Sequence, residues 1–330
     1  MYQRFYGLRD LPFELTPNFR FLFFSARHRE ALSNLQFGLS SAKPLTVLIG
    51  EAGTGKTTLV RAALASEPCR HVRCLYLNNP TLTRAEFVET LAQRFELSEQ
   101  ARHSKAALLS ELEATLNHRL ESGGITALVI DEAQSLSLEL LEEIRLLANI
   151  ETDTRKLLPV VLAGQPELSA RLNEPALRQL KQRVALRCEL TPFTLRETAA
   201  YIVGRISVAG GEASRLFTRE AVTSIHEHSH GIPRTINVIC DNSLVTGMAL
   251  GRQPVDRAVV LEVCRDFDLG QPAAEPQTSS MFAEAAALPQ PDESPLIDDG
   301  AEGETSPDTE SDIAVDVQPS RFRWLGRSRR

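Results

Sequence analysis

Apolar positions along the first 190 residues fall in short continuous runs separated by longer stretches with helical spacing. That rhythm predicts buried parallel strands alternating with amphipathic helices. The runs are Leu45 to Ile49, His71 to Leu77, Ile125 to Ile130, Leu157 to Ala163 and Ala185 to Leu190. Between them, Thr58 to Ala65, Thr83 to Phe95, Lys105 to Leu120 and Leu138 to Asn149 read as helices, with Leu108, Leu109, Leu112 and Leu116 on one face of the third. An earlier helix is expected over Ala26 to Leu39. From Thr194 the strand signals stop. Thr194 to Val208, Thr218 to Ser229, Pro233 to Leu250 and Val255 to Phe267 read as four helices; Thr218 and Pro233 stand where a cap and a first helical residue belong. The pattern therefore predicts an α/β domain over 1–192 and a small helical domain over 193–269.

One stretch organises the chemistry. Gly50-Glu51-Ala52-Gly53-Thr54-Gly55-Lys56-Thr57 meets the phosphate-loop pattern G-x-x-x-x-G-K-[ST] at each fixed position, with a strand before it and a helix from Thr58 after it. Glycines let successive N–H groups turn inward, and the helix N-terminus adds a positive dipole end. Lys56 is expected on the β- and γ-phosphates and the Thr57 hydroxyl on Mg²⁺. The third strand ends in Asp131-Glu132. Parallel strands gather their C-terminal ends at one edge, so Asp131 is expected beside the loop, supporting hydrated Mg²⁺, and Glu132 is placed to polarise an attacking water.

Weaker candidates follow. Gln165, after the fourth strand, reads either as a ligand for the γ-phosphate or lytic water, or as a loop amide satisfying local backbone. Arg178 and Arg183 read either as solvated rim charges or as a guanidinium offered to a neighbour's γ-phosphate. Arg234 sits in the first turn of a helix after Gly231, where a cation is unfavourable, and a triphosphate held between the two domains would supply its partner. The aromatic opening, with Phe13, Phe19, Phe21, Phe23 and Phe24, is expected to wrap against the core just upstream of the loop. Phe13 or Pro17 there suits either an adenine wall or plain packing.

Charge changes the picture only at the end of the chain. Of 43 acidic and 36 basic residues, 12 acids and 5 arginines fall in 270–330, which leaves 31 of each sign in 1–269. The body has no global bias toward nucleic acid. Residues 270–320 have the composition of a disordered segment, and 321–330 change to arginines with Phe322 and Trp324. That tip suits an anionic lipid surface, a nucleic-acid backbone or an acidic protein partner. Five scattered cysteines without C-x-x-C pairing suggest free thiols in a reducing compartment; with no run of ~18 apolar residues and no leader pattern, a cytosolic protein is expected.

Gly50 to Thr57, Val129-Ile130-Asp131-Glu132-Ala133-Gln134, Gly164-Gln165-Pro166-Glu167-Leu168 and Gly231-Ile232-Pro233-Arg234-Thr235-Ile236-Asn237 together resemble the AAA+ ATPases of the general secretion pathway protein A (ExeA) type. So does the opening Phe5-Tyr6-Gly7-Leu8 with Pro12-Phe13 and Thr16-Pro17. The resemblance covers about residues 1–268. It implies a P-loop NTPase with a five-stranded parallel sheet, a helical lid and ATP with Mg²⁺ between them. It further implies Gln165 as sensor 1, Arg234 as sensor 2, and Arg183 as arginine finger with Arg178 as second choice. Such proteins form oligomers with sites at subunit interfaces and act in secretin assembly or exopolysaccharide export; related transposition ATPases load onto duplex DNA. Members of the secretion type typically continue into a transmembrane helix and a periplasmic peptidoglycan-binding domain. Here the resemblance gives way to the acidic segment, so envelope contact is expected through a protein partner or through the tip, 321–330, at the inner membrane.

Overall fold

The computed structural model describes residues 1–16, 18–78 and 81–269. The expectations for the acidic tail, its tip and Pro17 lie outside these residues. Five strands, β1 (Leu45–Gly50), β2 (Val72–Leu77), β3 (Ile125–Ile130), β4 (Val160–Gly164) and β5 (Val184–Leu190), form one sheet in the order β2-β3-β4-β1-β5. Every pairing is parallel. The register brings Ile49 opposite Gly164 and Gly50 opposite Leu190, so the end of β1 is flanked on both sides by strand ends.

Through the sheet the helices are α1 (Tyr2–Tyr6), α2 (Ala26–Ser40), α3 (Lys56–Leu64), α4 (Arg84–Arg94), α5 (Glu99–His103), α6 (Lys105–Glu121), α7 (Leu138–Leu147), α8 (Pro166–Leu172) and α9 (Arg178–Lys181). After it come α10 (Leu195–Val208), α11 (Ala213–Leu216), α12 (Arg219–Ser229), α13 (Pro233–Ala249) and α14 (Arg257–Asp266). Alternation along the strands explains the layering. Leu45, Val47, Ile49, Leu128, Ile130, Val160 and Leu162 pack with α4 to α9 on one face. Leu48, Ala127, Val129, Val161 and Ala163 pack with α2 and α3 on the other. Covered on both faces, the central strands read as unbroken apolar runs.

Several boundaries differ from the expectations. The phosphate-loop helix starts at Lys56, two residues early, because the loop's left-handed Gly55 hands the chain straight into helical geometry. Strand β4 starts at Val160, since Pro159 offers no N–H to a ladder. The last helix begins after Asp256, whose carboxylate caps Val259, while Val255 bridges to Phe217. The short helices α1, α5, α8 and α11 carry too few turns to show periodicity, although Pro166 at the start of α8 is a first-turn signal.

Of the aromatic opening, Phe24 packs against the sheet cluster, whereas the residues before it turn to the helical region. Tyr2, Tyr6, Leu8, Phe13 and Phe21 belong to the same apolar cluster as Ile202, Ile206, Ile225, Ile236 and Ile239 of the helical region. Phe13 is 0% exposed and meets Phe217 edge-on, so plain packing is its role; burying such a ring contributes about 1.5–3 kcal/mol. A helical bundle of this size leaves an open apolar face, and the chain's own N-terminal segment covers it. Arg205 ties the two together, donating to the carbonyl of Pro12 and lying over the Phe21 ring, 5.1 Å from its centroid.

Candidate phosphate-binding site

The loop from Gly50 to Thr57 closes around its own backbone. Gly53 and Gly55 take φ of 84° and 98°, values that admit glycine with least strain. The Glu51 carbonyl accepts from the Thr54 hydroxyl at 2.8 Å, and the Lys56 ammonium donates to the carbonyls of Gly50 (2.8 Å) and Glu51 (3.1 Å). Burial lowers the pKa of Lys56, and the nearby carboxylates of Glu132 and Asp131 oppose that. Two carbonyls of the loop are held from behind: Arg234 N–H donates to Gly53 O at 3.2 Å and His28 Nε2 donates to Thr54 O at 3.1 Å. Both carbonyls are thereby occupied, and the Thr54 N–H between them donates to Glu51 O at 3.3 Å.

His28 is a site residue that no sequence motif marks. A carbonyl only accepts, so the proton is on Nε2 and Nδ1 accepts from Ser25 Oγ at 2.8 Å. Burial lowers its pKa below 6.5, against the hydrogen bond to Thr54 and the charge of Glu197. A histidine kept neutral in the native state lets the unfolded chain bind more protons, so stability rises with pH across this window and falls on acidification from about 6.5 toward the native pKa. Unfolding midpoints between pH 7 and 5 are expected to depend less on pH in His28→Gln than in the wild type; identical slopes would remove His28 from this role.

The Walker-type carboxylates arrive where parallel topology puts them. Asp131 Oδ2 accepts from Thr57 Oγ1 at 2.5 Å and from the Tyr76 hydroxyl at 2.7 Å, and Oδ1 accepts from Glu132 N–H at 3.0 Å. Burial first, then the bond to Asp131, raises the Tyr76 pKa and keeps it a donor. Glu132 adopts a left-handed conformation, φ 53°, which turns its side chain off the strand direction. Its Oε2 accepts from Gln134 Nε2 at 2.7 Å and Gln165 Nε2 at 3.2 Å, while Gln134 Oε1 accepts from Gln165 N–H at 3.1 Å. Arg171 fixes this turn by donating to the carbonyls of Gln134 and Leu136, both at 2.6 Å. The sensor candidate Gln165 thus reaches the glutamate that follows β3.

A cleft of about 410 Å³ extends from the loop between the sheet and the helical region. Gly53 to Thr58, Glu132 and Arg234 line it, together with Phe21, Phe23, Phe24, Phe193, Tyr201 and Asn237. The aromatic wall is therefore supplied by residues after Pro17 and by the helical region, and Phe13 is absent from it. Glu51 and Ala52 are exposed at the loop's tip, and Arg234, exposed, makes no ion pair among the described residues. Arg183 and Arg178 stand apart. Arg183 immediately precedes Val184, which is level with Leu45 at the start of β1, roughly 15–20 Å from the loop at the far end of that strand. Neither arginine lines the cleft of its own chain.

The thin protein ligand set fits Mg²⁺. Thr57 and Asp131 offer hard oxygens, and among the described residues no group of three or more His, Cys, Asp or Glu forms a closed cage. Magnesium commonly takes one or two protein oxygens and completes its shell with water and substrate phosphates.

A parallel sheet in this order, with a phosphate loop at its centre and a helical lid over the loop, defines a P-loop protein of the AAA+ class. An AAA domain family matches residues 39–172. General secretion pathway protein A of Aeromonas hydrophila is 40% identical over 255 residues, which cover 77% of this chain and 46% of that protein. Among solved structures, the ORC2 protein of Aeropyrum pernix in ADPNP and ADP complexes aligns with a TM-score of 0.59 at 17% identity, covering 79% of this chain and 72% of its own. Cdc6p of Pyrobaculum aerophilum aligns with a TM-score of 0.59 at 18% identity, covering 77% and 70%. These two share the fold. Over 77% of its length the chain is similar to general secretion pathway protein A, and it spans about half the length of that Aeromonas relative.

Proposed function

We propose that this protein binds ATP with Mg²⁺ in the cleft, hydrolyses it, and uses the nucleotide state to drive assembly of a partner complex at the cytoplasmic face of the cell envelope. The carrying observation is the meeting of Thr57 and Asp131 beside a glutamate held by two amides. Loop N–H groups from Gly50 to Thr58 hold the phosphates, Lys56 exchanges its loop carbonyls for phosphate oxygens, and Arg234 closes from the lid. Thr57 and Asp131 would hold Mg²⁺, which neutralises charge on the phosphates. Glu132 orients a water and accepts its proton as the water oxygen attacks the γ-phosphorus and the bond to the bridging oxygen breaks. Gln165 steadies that carboxylate.

In this reading 1–192 is the nucleotide-binding domain, 193–269 the lid and 270–330 an appended tail whose tip, 321–330, contacts the membrane surface peripherally. No helix among the described residues is long and apolar enough to cross a membrane. The position of Arg183 at the far end of β5 supports a finger offered to a neighbouring subunit, hence a homo-oligomer. The partner is a secretion or envelope protein, in keeping with the name of the Aeromonas relative.

Turnover measured against protein concentration is expected to rise in specific activity and to respond to anionic liposomes. Arg183→Ala should lose on the order of 10³-fold in turnover while retaining nucleotide. Adding Glu132→Gln subunits, which keep Arg183, should restore turnover to Arg183→Ala. Absence of that rescue would take the finger role from Arg183, and stimulation by duplex DNA alone would replace the envelope reading with a DNA-loading one.

A further inference from the structure

The wall of the cleft contains a hydrogen-bond relay whose direction is forced. Arg205 has only donors, and its Nη1 lies 2.8 Å from the Tyr201 oxygen, so that oxygen accepts. The Tyr201 hydroxyl proton is then committed to Asn237, whose Oδ1 it meets at 2.8 Å. With its carbonyl occupied, Asn237 can turn only its NH₂ group elsewhere. That group has no protein partner among the described residues, and Asn237 lines the cleft while being 7% exposed. It sits one turn beyond Arg234 on α13 and lines the cleft together with Phe193 and Tyr201.

We infer that Asn237 is a recognition residue for the nucleobase, its amide donating to an acceptor nitrogen of the ring, with Tyr201 and Arg205 as positioning residues that keep the donors facing the cleft. The inference rests on the proposed nucleotide site. A nearly buried residue with two free donors disfavours a ligand that offers none of the matching acceptors, because the polar group is then left unpaired.

Binding is measured with three probes that lose one part each: ATP, ribose 5-triphosphate and inorganic tripolyphosphate. Asn237→Leu should weaken ATP by about 5–10-fold and leave the other two within about 2-fold. Tyr201→Phe keeps Asn237 but frees its orientation, and should weaken ATP alone by about 2–3-fold, which covers the case that the leucine variant does not fold. Equal losses on all three probes in either variant would make the relay structural and overturn the inference. Losses on ATP and ribose 5-triphosphate alike would move the contact to the sugar and equally overturn it. If the wild type binds tripolyphosphate but gains nothing from the nucleoside, the base assignment fails while the phosphate site stands; if it binds none of the probes, the nucleotide reading fails first.

Discussion

Glu132→Gln is expected to lower steady-state phosphate release by on the order of 10²–10³-fold while ATP remains bound with little change in affinity. The substitution keeps size and backbone preference, so the left-handed turn at φ 53° and the contact with Thr57 through Asp131 survive. It removes the one property the neighbouring amides cannot replace, a carboxylate that accepts a proton. In the structure Oε2 is taken by Gln134 and Gln165, which fixes the plane of the group and leaves Oε1 for the water. A fall in kcat without a rise in Kd for nucleotide is the required outcome. Unchanged turnover would remove Glu132 from its role, and loss of binding would make it a structural support of the loop.

Gly231→Ala should be among the most damaging single changes away from the phosphates, costing about 2–4 kcal/mol. Gly231 has φ 73°, and a Cβ built there lies 2.1 Å from the Phe193 carbonyl oxygen and 2.9 Å from its nitrogen. Both neighbours are backbone. Phe193 N–H also donates to Gly231 O at 2.8 Å, so the segment leaving β5 and the segment entering α13 are bonded together at this point. Forcing them apart displaces Arg234 from Gly53 and Phe193 from His28, whose rings lie 5.4 Å apart. Nucleotide affinity should fall along with stability. Gly204, inside α10, has nothing within 4 Å of a built Cβ, and Gly204→Ala there should be neutral or stabilising by up to about 1 kcal/mol. Urea unfolding of the two variants separates the effects; equal midpoints would show that the close approach at Gly231 carries no energy.

Much of the site was legible along the chain because its parts are local. A phosphate loop needs glycines, a lysine and a hydroxyl within eight consecutive residues, and the carboxylates follow directly on an apolar strand. Lid residue Arg234 was legible through an electrostatic mismatch, a cation at a helix start. Phe13 was open between two roles because an aromatic ring suits a base and a core equally, and only the packing partner Phe217 decides. Gln165 was likewise open until its amide met Glu132, 33 residues earlier.

His28 and Tyr76 belong to no local pattern, and Asn237 ends the Gly231 to Asn237 stretch with no role of its own assigned there. A histidine inside a helix, a tyrosine on an edge strand and an asparagine on a buried helix face each have ordinary structural explanations. Their positions arise where α2 and α13 bring His28 and Asn237 to the cleft and β2 brings Tyr76 to Asp131.

Local physics along the sequence determined the alternation of strands and helices, the phosphate loop, the order in which its chemistry arrives and the change from α/β to helical structure near residue 193. Tertiary structure alone decided which carbonyls tether the loop, that the aromatic opening completes the helical region, that Arg183 lies away from its own cleft, and which way the Asn237 amide faces. The first set depends on hydrogen bonds and side-chain spacing within a few turns. The second depends on contacts between residues tens to hundreds of positions apart, where strand order and packing, and no nearest-neighbour preference, choose the partner.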